Sequence, residues 1–349
     1  MKKWLIGIGV AIVVLGIVVF AGYKWLMFQI HGSTAEKDFQ VMIEEGATLK
    51  DVLKKLEDEN MLGNANYRSL YMRFYEADYT YQAGEYEIKR GMTLEQTLAK
   101  FQKGEVVKPK TVKVTIPEGW NVKQIARRLA ENNLGDEKKY MQLFSDRSYY
   151  FKKQKEFAFL PPLKKRTKYP FEGYLFPATY EFVLDAKEED VIERMLQQMQ
   201  VVVDKLAEQY PQVQTNTLRV FTLASIIEKE TAVVKERPRV AGVFANRLKV
   251  GQILQSDATV EYAHGKYLKK VLYKHLEIDD LYNTYRYEGL PPGPIAAPSL
   301  SALSAAVSPE KHNYYYFVTK KDGSRTHYFA ETLAEHESNI AKSEQTGKE

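Results

Sequence analysis

Twenty consecutive residues near the start of the chain, Trp4 to Tyr23, carry no charge and are rich in Val, Ile, Leu and Gly. At about 1.5 Å per residue, a helix of this length matches a hydrocarbon core of roughly 30 Å. A cleavable secretory signal is the alternative, but the apolar run is longer than a usual signal core and no small-x-small cleavage site follows before Lys24. The segment is therefore predicted to be an uncleaved transmembrane helix.

The charges that flank this segment predict its orientation. Lys2 and Lys3 precede it, and cytoplasmic flanks carry an excess of Lys and Arg. We expect a cytoplasmic tail at residues 1–3, one crossing at 4–23 and a polar spacer at 24–38, because the sequence has no second apolar run of comparable length. The predicted location is the cell membrane, with the folded part outside the cytoplasm.

The sequence contains no cysteine, which excludes disulfides and thiolate chemistry and fits a bacterial envelope protein that folds on its core alone. The 50 basic and 45 acidic residues give a net charge of only +5, too small to predict nucleic acid as a partner. Much of the excess lies within residues 135–168, which we expect to be an irregular, basic, Pro-containing connection with an amphipathic stretch around Tyr140 to Phe151. A solvated loop explains these charges; attraction to an anionic wall or lipid surface is the alternative.

An internal repeat follows the spacer. Residues 41–62 resemble residues 114–134, with Gly46 and Gly119 in register, and a weaker copy covers 86–104. Each copy has a short alternating strand, a Gly turn, a Thr or Asn that can cap a helix, and apolar residues at helical spacing. The repeating unit is therefore predicted to be strand, turn, helix.

This unit resembles the LysM-type modules that bind the sugar backbone of peptidoglycan and chitin, whose pattern begins with a strand and a Gly-x-Thr-Leu turn before a helix. The resemblance implies a LysM-like N-terminal domain at residues 39–108 and a second LysM-like βα unit at 113–135. A purely structural docking domain is the alternative, since any capped strand–helix unit has this pattern.

The remaining residues predict a larger domain at 109–340, followed by a frayed tail at 341–349. Long helices are expected at 188–209, 218–231 and 239–249. Two strands joined by a Lys-Asp-Gly turn are expected within 314–329. The predicted fold class is α+β, with an N-terminal transmembrane helix, LysM-like βα modules and then a mixed α/β domain.

The helix predicted at 218–231 carries the most informative carboxyl. At about 100° per residue, it has one buried stripe, formed by Val220, Leu223, Ala224, Ile227 and Thr231. Glu228 lies at the margin of this stripe, where aliphatic neighbours would favour the protonated form that a general acid needs. Glu230 falls about 160° away around the helix, so the two cannot both address one substrate atom. The alternative is that both are helix charges paired with Lys229, Lys235 or Arg237.

Blocks around this helix, in one order along nearly the whole chain, resemble the endolytic murein transglycosylases of the YceG-like (MltG) family. They are EGYLFPATY (172–180), ASIIEKET (224–231), NRL (246–248), LQSD (254–257), YNTY (282–285), GLPPGPIAAPS (289–299), and Tyr-Phe-Val at 316–318 with His336 and Asn339. One departure is Ala178, where the family pattern has Asp. A catalytic role for that position is therefore not expected.

In that family the first Glu of the Glu-Lys-Glu segment is catalytic, which corresponds to Glu228. The resemblance implies a catalytic domain at 109–340 that cleaves the β-1,4 bond between N-acetylmuramic acid and N-acetylglucosamine within peptidoglycan strands. The reaction uses no water, leaves a 1,6-anhydro-muramic end and limits nascent strand length, and contact with penicillin-binding synthases is implied. One carboxyl suffices because the muramyl C6 hydroxyl is the nucleophile, whereas ordinary glycosidases usually need two. No cofactor or metal is implied.

Other residues of these blocks, and Tyr262, suit a sugar-binding cleft. Neutral groups for hydrogen bonds to sugar hydroxyls and N-acetyl groups are offered by Asn246, Gln255, Ser256, Asn283 and Thr284. Flat faces for pyranose rings are offered by Tyr262, Tyr282 and Tyr285. Asp257 is predicted to orient one of these groups or to stabilise an oxocarbenium-like transition state, and Glu172 is a further candidate for substrate contact. Loop capping or core packing is the alternative for each.

Two other kinds of protein are compatible with parts of the sequence. A wall metallopeptidase would need metal-ligand spacing, and none of the six histidines lies in a His-Glu-x-x-His arrangement. A non-catalytic wall-binding scaffold would need only the anchor and the LysM-like units. The position of Glu228 beside an apolar stripe argues against the scaffold, which has no need for such a carboxyl.

Overall fold

The structure of the chain is a computed structural model that describes residues 2–31, 34–61, 72 and 80–347. It divides into two compact units, residues 1–109 and 110–349. About half of the chain is helical, and the described strands form small two-stranded sheets. The prediction of a mixed α/β protein is confirmed.

The first unit begins with a long apolar helix, α1 (Lys2–His31). Its stretch of 19 residues, Gly7–Trp25, is long and apolar enough to cross a membrane, and side chains such as Ile12 and Phe20 are exposed along it. The helix continues to His31, so residues 24–31 of the predicted spacer are helical. The further described elements are β1 (Phe39–Ile43), α2 (Leu49–Asp58), β2 (Gly84–Ile88) and α3 (Leu94–Lys103).

The second unit contains the remaining elements. Its strands are β3 (Thr111–Thr115), β4 (Thr179–Val183), β5 (Tyr316–Thr319) and β6 (His327–Ala330). Its longer helices are α4 (Val122–Glu131), α5 (Glu137–Ser145), α6 (Arg147–Glu156), α7 (Glu188–Gln209), α8 (Thr217–Glu230), α9 (Arg237–Lys249), α10 (Asp257–His264), α11 (Leu300–Val307) and α12 (Leu333–Thr346). Short helical turns lie at Gln212–Thr215, Val234–Glu236 and Tyr273–Leu276.

The repeat has the predicted strand, turn and helix in all three copies, at β1 and α2, β2 and α3, and β3 and α4. Each helix starts with a capping box, in which the N-cap and N3 side chains each accept the other's backbone N–H; the N-cap residues are Thr48, Thr93 and Asn121. β1 pairs antiparallel with β2, whereas β3 pairs with β4 from much later in the chain. The copy formed by β3 and α4 is therefore part of the second unit. Leu62, which ends the first copy, lies outside the described residues.

Helix α8 lies at the centre of the second unit and packs against α9 and α11. The predicted long helices and the hairpin of β5 and β6 are confirmed, with helix ends within two residues of the predicted ones. The buried surface of α8 is wider than the predicted stripe, since Phe221, Ser225 and Ile226 are also fully buried. The helix that carries Glu228 is thus held from several sides.

The prediction of an irregular connection at 135–168 is wrong for much of its length, although the amphipathic stretch expected around Tyr140 to Phe151 falls on helices. Two helices, α5 and α6, occupy this region, and each is capped by an aspartate, Asp136 and Asp146, that accepts backbone N–H groups of the first turn. Lys153 is buried rather than solvated, and its ammonium pairs with Glu156 and Glu193. These two short capped helices were not predicted because the region is rich in lysine.

Candidate active site

Glu228 lies in the last turn of α8, one helical turn after the buried Ala224. Its side chain is only 5% exposed. A carboxyl at the margin of an apolar helix face therefore has little contact with water. Glu228 is thus buried at the margin of the apolar face as predicted, but the alternative also holds, since its carboxyl pairs with Arg237.

Three donors surround the carboxyl of Glu228. Nη2 of Arg237 donates to Oε1 at 2.7 Å. The backbone N–H and the hydroxyl of Ser299 both donate to Oε2, at 2.9 Å and 2.5 Å. Charge-assisted contacts of this kind are strong and directional, so both oxygens are held in one orientation.

Arg237 and Ser299 come from separate elements that meet at Glu228. Arg237 is the first residue of α9 and is itself buried, and its Nη1 donates to the hydroxyls of Ser299 and Ser301. Ser299 is the N-cap of α11 and also accepts the backbone N–H of Ala302 at 3.2 Å. The ends of α8, α9 and α11 are therefore joined by one buried polar network.

The turn between β3 and α4 passes beside Glu228. Gly119 donates its N–H to the carbonyl of Ala297 at 2.8 Å, and Ala297 donates to the carbonyl of Trp120 at 2.7 Å. Gly119 has φ of +73°, and a Cβ built there would lie 3.7 Å from Cγ of Glu228. A glycine is suited to this position because the turn needs the left-handed region.

Glu118 is a second carboxyl near Glu228, and it lies in none of the sequence blocks that predicted the site. Partial burial, and then the negative charge of Glu228, raise the pKa of Glu118, while the positive charge of Arg237 lowers it. The two residues are 110 positions apart in the sequence, so no local pattern relates them. Only the packing of the turn against the end of α8 brings them together.

Glu230 points to a different part of the structure, as the helical spacing predicts. Its Oε1 accepts a hydrogen bond from the hydroxyl of Ser256. Burial raises the pKa of Glu230 to about 7, the hydrogen bond from Ser256 opposes the rise, and the charge of Asp257 adds to it. Glu230 therefore belongs to a separate cluster from the one at Glu228.

Glu172 is almost fully buried, with 1% of its surface exposed. Its Oε1 accepts the N–H of Val122, the first residue of α4, at 3.1 Å. Its Oε2 lies near the hydroxyl of Tyr262, but no hydrogen bond of normal geometry joins them. Burial raises the pKa of Glu172 to about 8.

Several predicted substrate-binding residues use their polar groups inside the protein. The Nδ2 of Asn246 donates to the carbonyls of His312 and Tyr314, and that of Asn283 to carbonyls of the preceding loop. Ser256 and Thr284 are buried and bonded to each other, and Tyr282 is buried with its hydroxyl accepting the N–H of Lys168. These contacts fix the loops that surround the site.

The other predicted residues reach the surface. Gln255 and Asp257 are exposed, and Asp257 accepts the Tyr285 hydroxyl at 2.7 Å. Gln255 has φ of +52°, which places a strained residue in the LQSD loop. Tyr262 is partly exposed and packs its ring at 4.8 Å from that of Tyr282.

Two clefts border the residues next to Glu228. One, of about 590 Å³, is lined by Gly119, Lys229, Glu172 and Tyr262 among others. The other, of about 670 Å³, is lined by Glu118 and Ser301 among others. Of the predicted residues, the structure thus brings Glu172 and Tyr262 to a cleft beside Glu228, whereas the Asp257 and Tyr285 pair lies with Glu230.

Among the described residues no three His, Asp or Glu side chains are grouped as a metal ion would require.

The fold and the site together define a class: a mixed α/β protein in which one glutamate, fixed by an arginine and a serine at the end of a central helix, lies beside two clefts. The chain belongs to the YceG-like family, whose model matches residues 41–342. The resemblance seen in the sequence blocks is confirmed.

Three relatives show what the chain is similar to. The endolytic murein transglycosylase of Bacillus subtilis is 34% identical over 300 residues, which cover 85% of this chain and 82% of that protein. Endolytic murein transglycosylases of two Streptococcus pneumoniae strains are each 30% identical over 93% of this chain, which spans only 62% of their length.

A solved structure has a similar fold. The crystal structure of a yceG-like protein from Listeria monocytogenes is 34% identical in sequence and superposes with a TM-score of 0.60. The match covers 87% of this chain and 99% of that chain.

Proposed function

We propose that this chain is a membrane-anchored endolytic lytic transglycosylase. It cleaves the β-1,4 bond between N-acetylmuramic acid and N-acetylglucosamine within peptidoglycan strands and forms 1,6-anhydro-muramic ends. The names of the curated relatives support this reaction. The observation that carries the proposal is a single nearly buried carboxyl, Glu228, fixed by Arg237 and Ser299 beside two clefts.

Glu228 acts first as an acid and then as a base. As a carboxylic acid it donates its proton to the glycosidic oxygen while the bond from C1 to that oxygen breaks, which leaves a 4-hydroxyl on N-acetylglucosamine. The muramyl C6 hydroxyl attacks C1, and the carboxylate of Glu228 takes its proton. The proton count returns to its starting value, and no water is consumed.

The contacts of Glu228 change during this cycle. All three observed contacts are donors, an arrangement that suits the carboxylate. The hydroxyl of Ser299 already accepts from Arg237 Nη1 and from the Ala302 N–H, so it can accept a hydrogen bond from the protonated carboxyl only when one of these is released, whereas a guanidinium only donates. Because Arg237 also bonds Ser301, it has a second acceptor when Glu228 is protonated.

Cleavage within a strand requires sugar-binding surface on both sides of the scissile bond. The clefts at Gly119 and at Glu118 border adjacent residues of the turn that passes Glu228. A strand that continues from one cleft to the other would cross the carboxyl. This supports an internal cut over removal of a terminal sugar.

The N-terminal unit gives the proposed enzyme its location. We propose that α1 spans the cell membrane with its N-terminus in the cytoplasm, and that the strand–turn–helix units are LysM-like modules that hold glycan. The length and apolar surface of α1 support the anchor, and the three capping boxes support the modules. Contact with penicillin-binding synthases, which the sequence resemblance implies, would place the cut at nascent strands.

Digestion of purified peptidoglycan by the full chain in detergent tests the reaction. Mass spectrometry is expected to find anhydro-muramic ends with the wild type and with Glu208→Gln, an exposed control on α7, and none with Glu228→Gln. Reducing ends would show a hydrolase instead. No cleavage by the wild type would favour the wall-binding scaffold.

A further inference from the structure

The cleft of about 590 Å³ beside Glu228 is strongly basic. It lies between α4 and α10, and its volume is within the roughly 300–1,000 Å³ of ligand pockets in proteins. Two carboxyls line it, Glu172 and Glu261. Five cationic side chains line it: Lys123, Arg127, Lys168, Lys229 and Lys266.

Most of this positive charge is not neutralised by the protein. Lys168 pairs with Asp280 at 2.7 Å. In the part of the chain that the structure describes, no ion pair is formed by Lys123, Arg127, Lys229 or Lys266. Glu172 is buried, which favours its neutral form, so Glu261 is the remaining carboxylate of the lining. The cleft therefore presents an excess of positive charge to a ligand.

The cleft is lined by residues that adjoin or contact Glu228, although Glu228 itself is not part of the lining. Lys229 follows Glu228 in the sequence and donates to the carbonyl of Gly119 at 3.5 Å. Gly119 lines the cleft, and a Cβ there would lie 3.7 Å from Cγ of Glu228. A group bound in the cleft therefore lies close to the end of α8 that carries Glu228.

The cleft also has surface for apolar and aromatic contact. The rings of Tyr169 and Tyr262 line it, and the ammonium of Lys123 lies 5.8 Å from the centre of the Tyr169 ring. The hydroxyl of Tyr262 lies near the carboxyl of Glu172 without a hydrogen bond of normal geometry. The lining thus suits a ligand that combines carboxylates with short aliphatic groups and amides.

Muramic acid carries such a ligand on its lactyl group, in the form of a short stem peptide that ends in a carboxylate. An anionic polymer linked through the muramyl C6 oxygen fits less well, because it would remove the hydroxyl that the ring closure needs. We propose that this basic cleft binds the carboxylate-bearing stem peptide of the muramyl residue next to the scissile bond, so that the protein prefers peptide-bearing strands to naked glycan. The inference rests on the proposed function.

Equilibrium binding tests this without requiring turnover. The full-length Glu228→Gln chain in detergent is titrated with glycan oligomers that carry stem peptides, with the same oligomers stripped by an amidase, and with oligomers whose peptide carboxylates are converted to amides. Peptide-bearing oligomers are expected to bind about tenfold more tightly than the other two, which corresponds to about 1.4 kcal/mol and is within what two exposed ion pairs contribute.

Charge substitutions locate the effect. In the Glu228→Gln background, Lys123→Gln with Arg127→Gln is expected to bind all three oligomers with the affinity of the stripped one. Lys266→Gln is a second variant, at a residue exposed at the cleft. It is expected to weaken binding of the peptide-bearing oligomer in the same direction but by a smaller factor. Lys152→Gln with Lys205→Gln removes two exposed charges elsewhere and is expected to keep the preference.

Equal affinity for peptide-bearing and stripped oligomers would overturn the inference, and so would a preference that survives the Lys123 and Arg127 substitutions. Preference for the peptide that persists after its carboxylates are amidated would overturn the role of charge. The proposed function is tested separately. If the wild type produces anhydro-muramic ends equally from all three oligomers, the proposed activity stands and the stem-peptide site is ruled out.

Discussion

The guanidinium of Arg237 lies 2.7 Å from the carboxyl of Glu228, and both side chains are about 95% buried. The two residues are nine positions apart and belong to successive helices, α8 and α9. A buried ion pair costs desolvation on both sides and stabilises a protein only weakly as a pair, but loss of one partner leaves the other charge uncompensated. The pair is therefore a sensitive point for both stability and activity.

Arg237→Gln is expected to lower the free energy of unfolding by about 3–5 kcal/mol, because Glu228 would remain buried without its countercharge. Urea denaturation in detergent, followed by tryptophan fluorescence, measures this change. The double variant Glu228→Gln with Arg237→Gln is expected to recover part of the loss. Additive losses in the double variant would show that the pair is not coupled.

Ser299→Ala is expected to reduce kcat for the release of anhydro-muramic ends, because it removes one donor to Glu228. It also removes the N-cap of α11, which costs about 1 kcal/mol of stability. Ser301→Ala is the matched comparison, since Ser301 bonds Arg237 and Ser299 but is not seen to bond Glu228. Equal kcat in the two variants would contradict the role given to Ser299.

Gly119→Ala is expected to lower activity roughly ten- to 100-fold, since displacement of catalytic groups by about 1 Å has effects of this size. The alanine must hold φ near +73° at a cost of about 1–2 kcal/mol, and relaxation of this strained backbone shifts the turn that contacts Glu228. Gly46→Ala is the control, because Gly46 has φ of +76° in the equivalent turn of the first unit. Its Cβ would meet nothing within 4 Å, so stability should fall while kcat stays at the wild-type value.

The free energy of unfolding is expected to decrease with rising pH because of Glu172. Burial raises its pKa from 4.5 to about 8, so the folded state holds the proton more tightly than the unfolded state. The contribution to stability is therefore complete below about pH 4.5 and is lost as the pH rises to about 8, at about 1.4 kcal/mol per pKa unit.

Glu172→Gln keeps an acceptor for the N–H of Val122 and cannot ionise, so its midpoint of denaturation is expected to fall less over this range than that of the wild type. Glu230, whose pKa is raised in the same direction, contributes equally to both proteins. The exposed Glu208→Gln should follow the wild type. A Glu172→Gln profile that parallels the wild type would show that Glu172 is already ionised in the folded protein.

Local features of the fold were predictable because they depend on neighbours in the sequence. Thr48, Thr93 and Asn121 cap helices three residues before a side chain that completes the box, and apolar spacing marks the helices that follow. The same logic located α7, α8 and α9. It failed at 135–168, where an amphipathic stretch was expected around Tyr140 to Phe151 but the caps of the two helices, Asp136 and Asp146, were not recognised.

The site was only partly predictable. Glu228 is recognisable from its position at the edge of an apolar helix face, and Arg237 was considered among its possible partners. Asn246 and Asn283 have the residue types of a sugar site, yet their amides hold loops together. Residue type states which hydrogen bonds a side chain can make, and the fold decides whether the protein itself already makes them.

The sequence alone determines the apolar helix, the three capped strand–turn–helix units and the carboxyl at position 228, because each depends on residues within one or two turns of chain. The tertiary structure alone decides that Glu118, Arg237 and Ser299 surround that carboxyl and that Lys123, Arg127 and Lys229 line one cleft. These groups come from segments up to 181 positions apart, and only the packing of α8 against its neighbours brings their charges within range of one another.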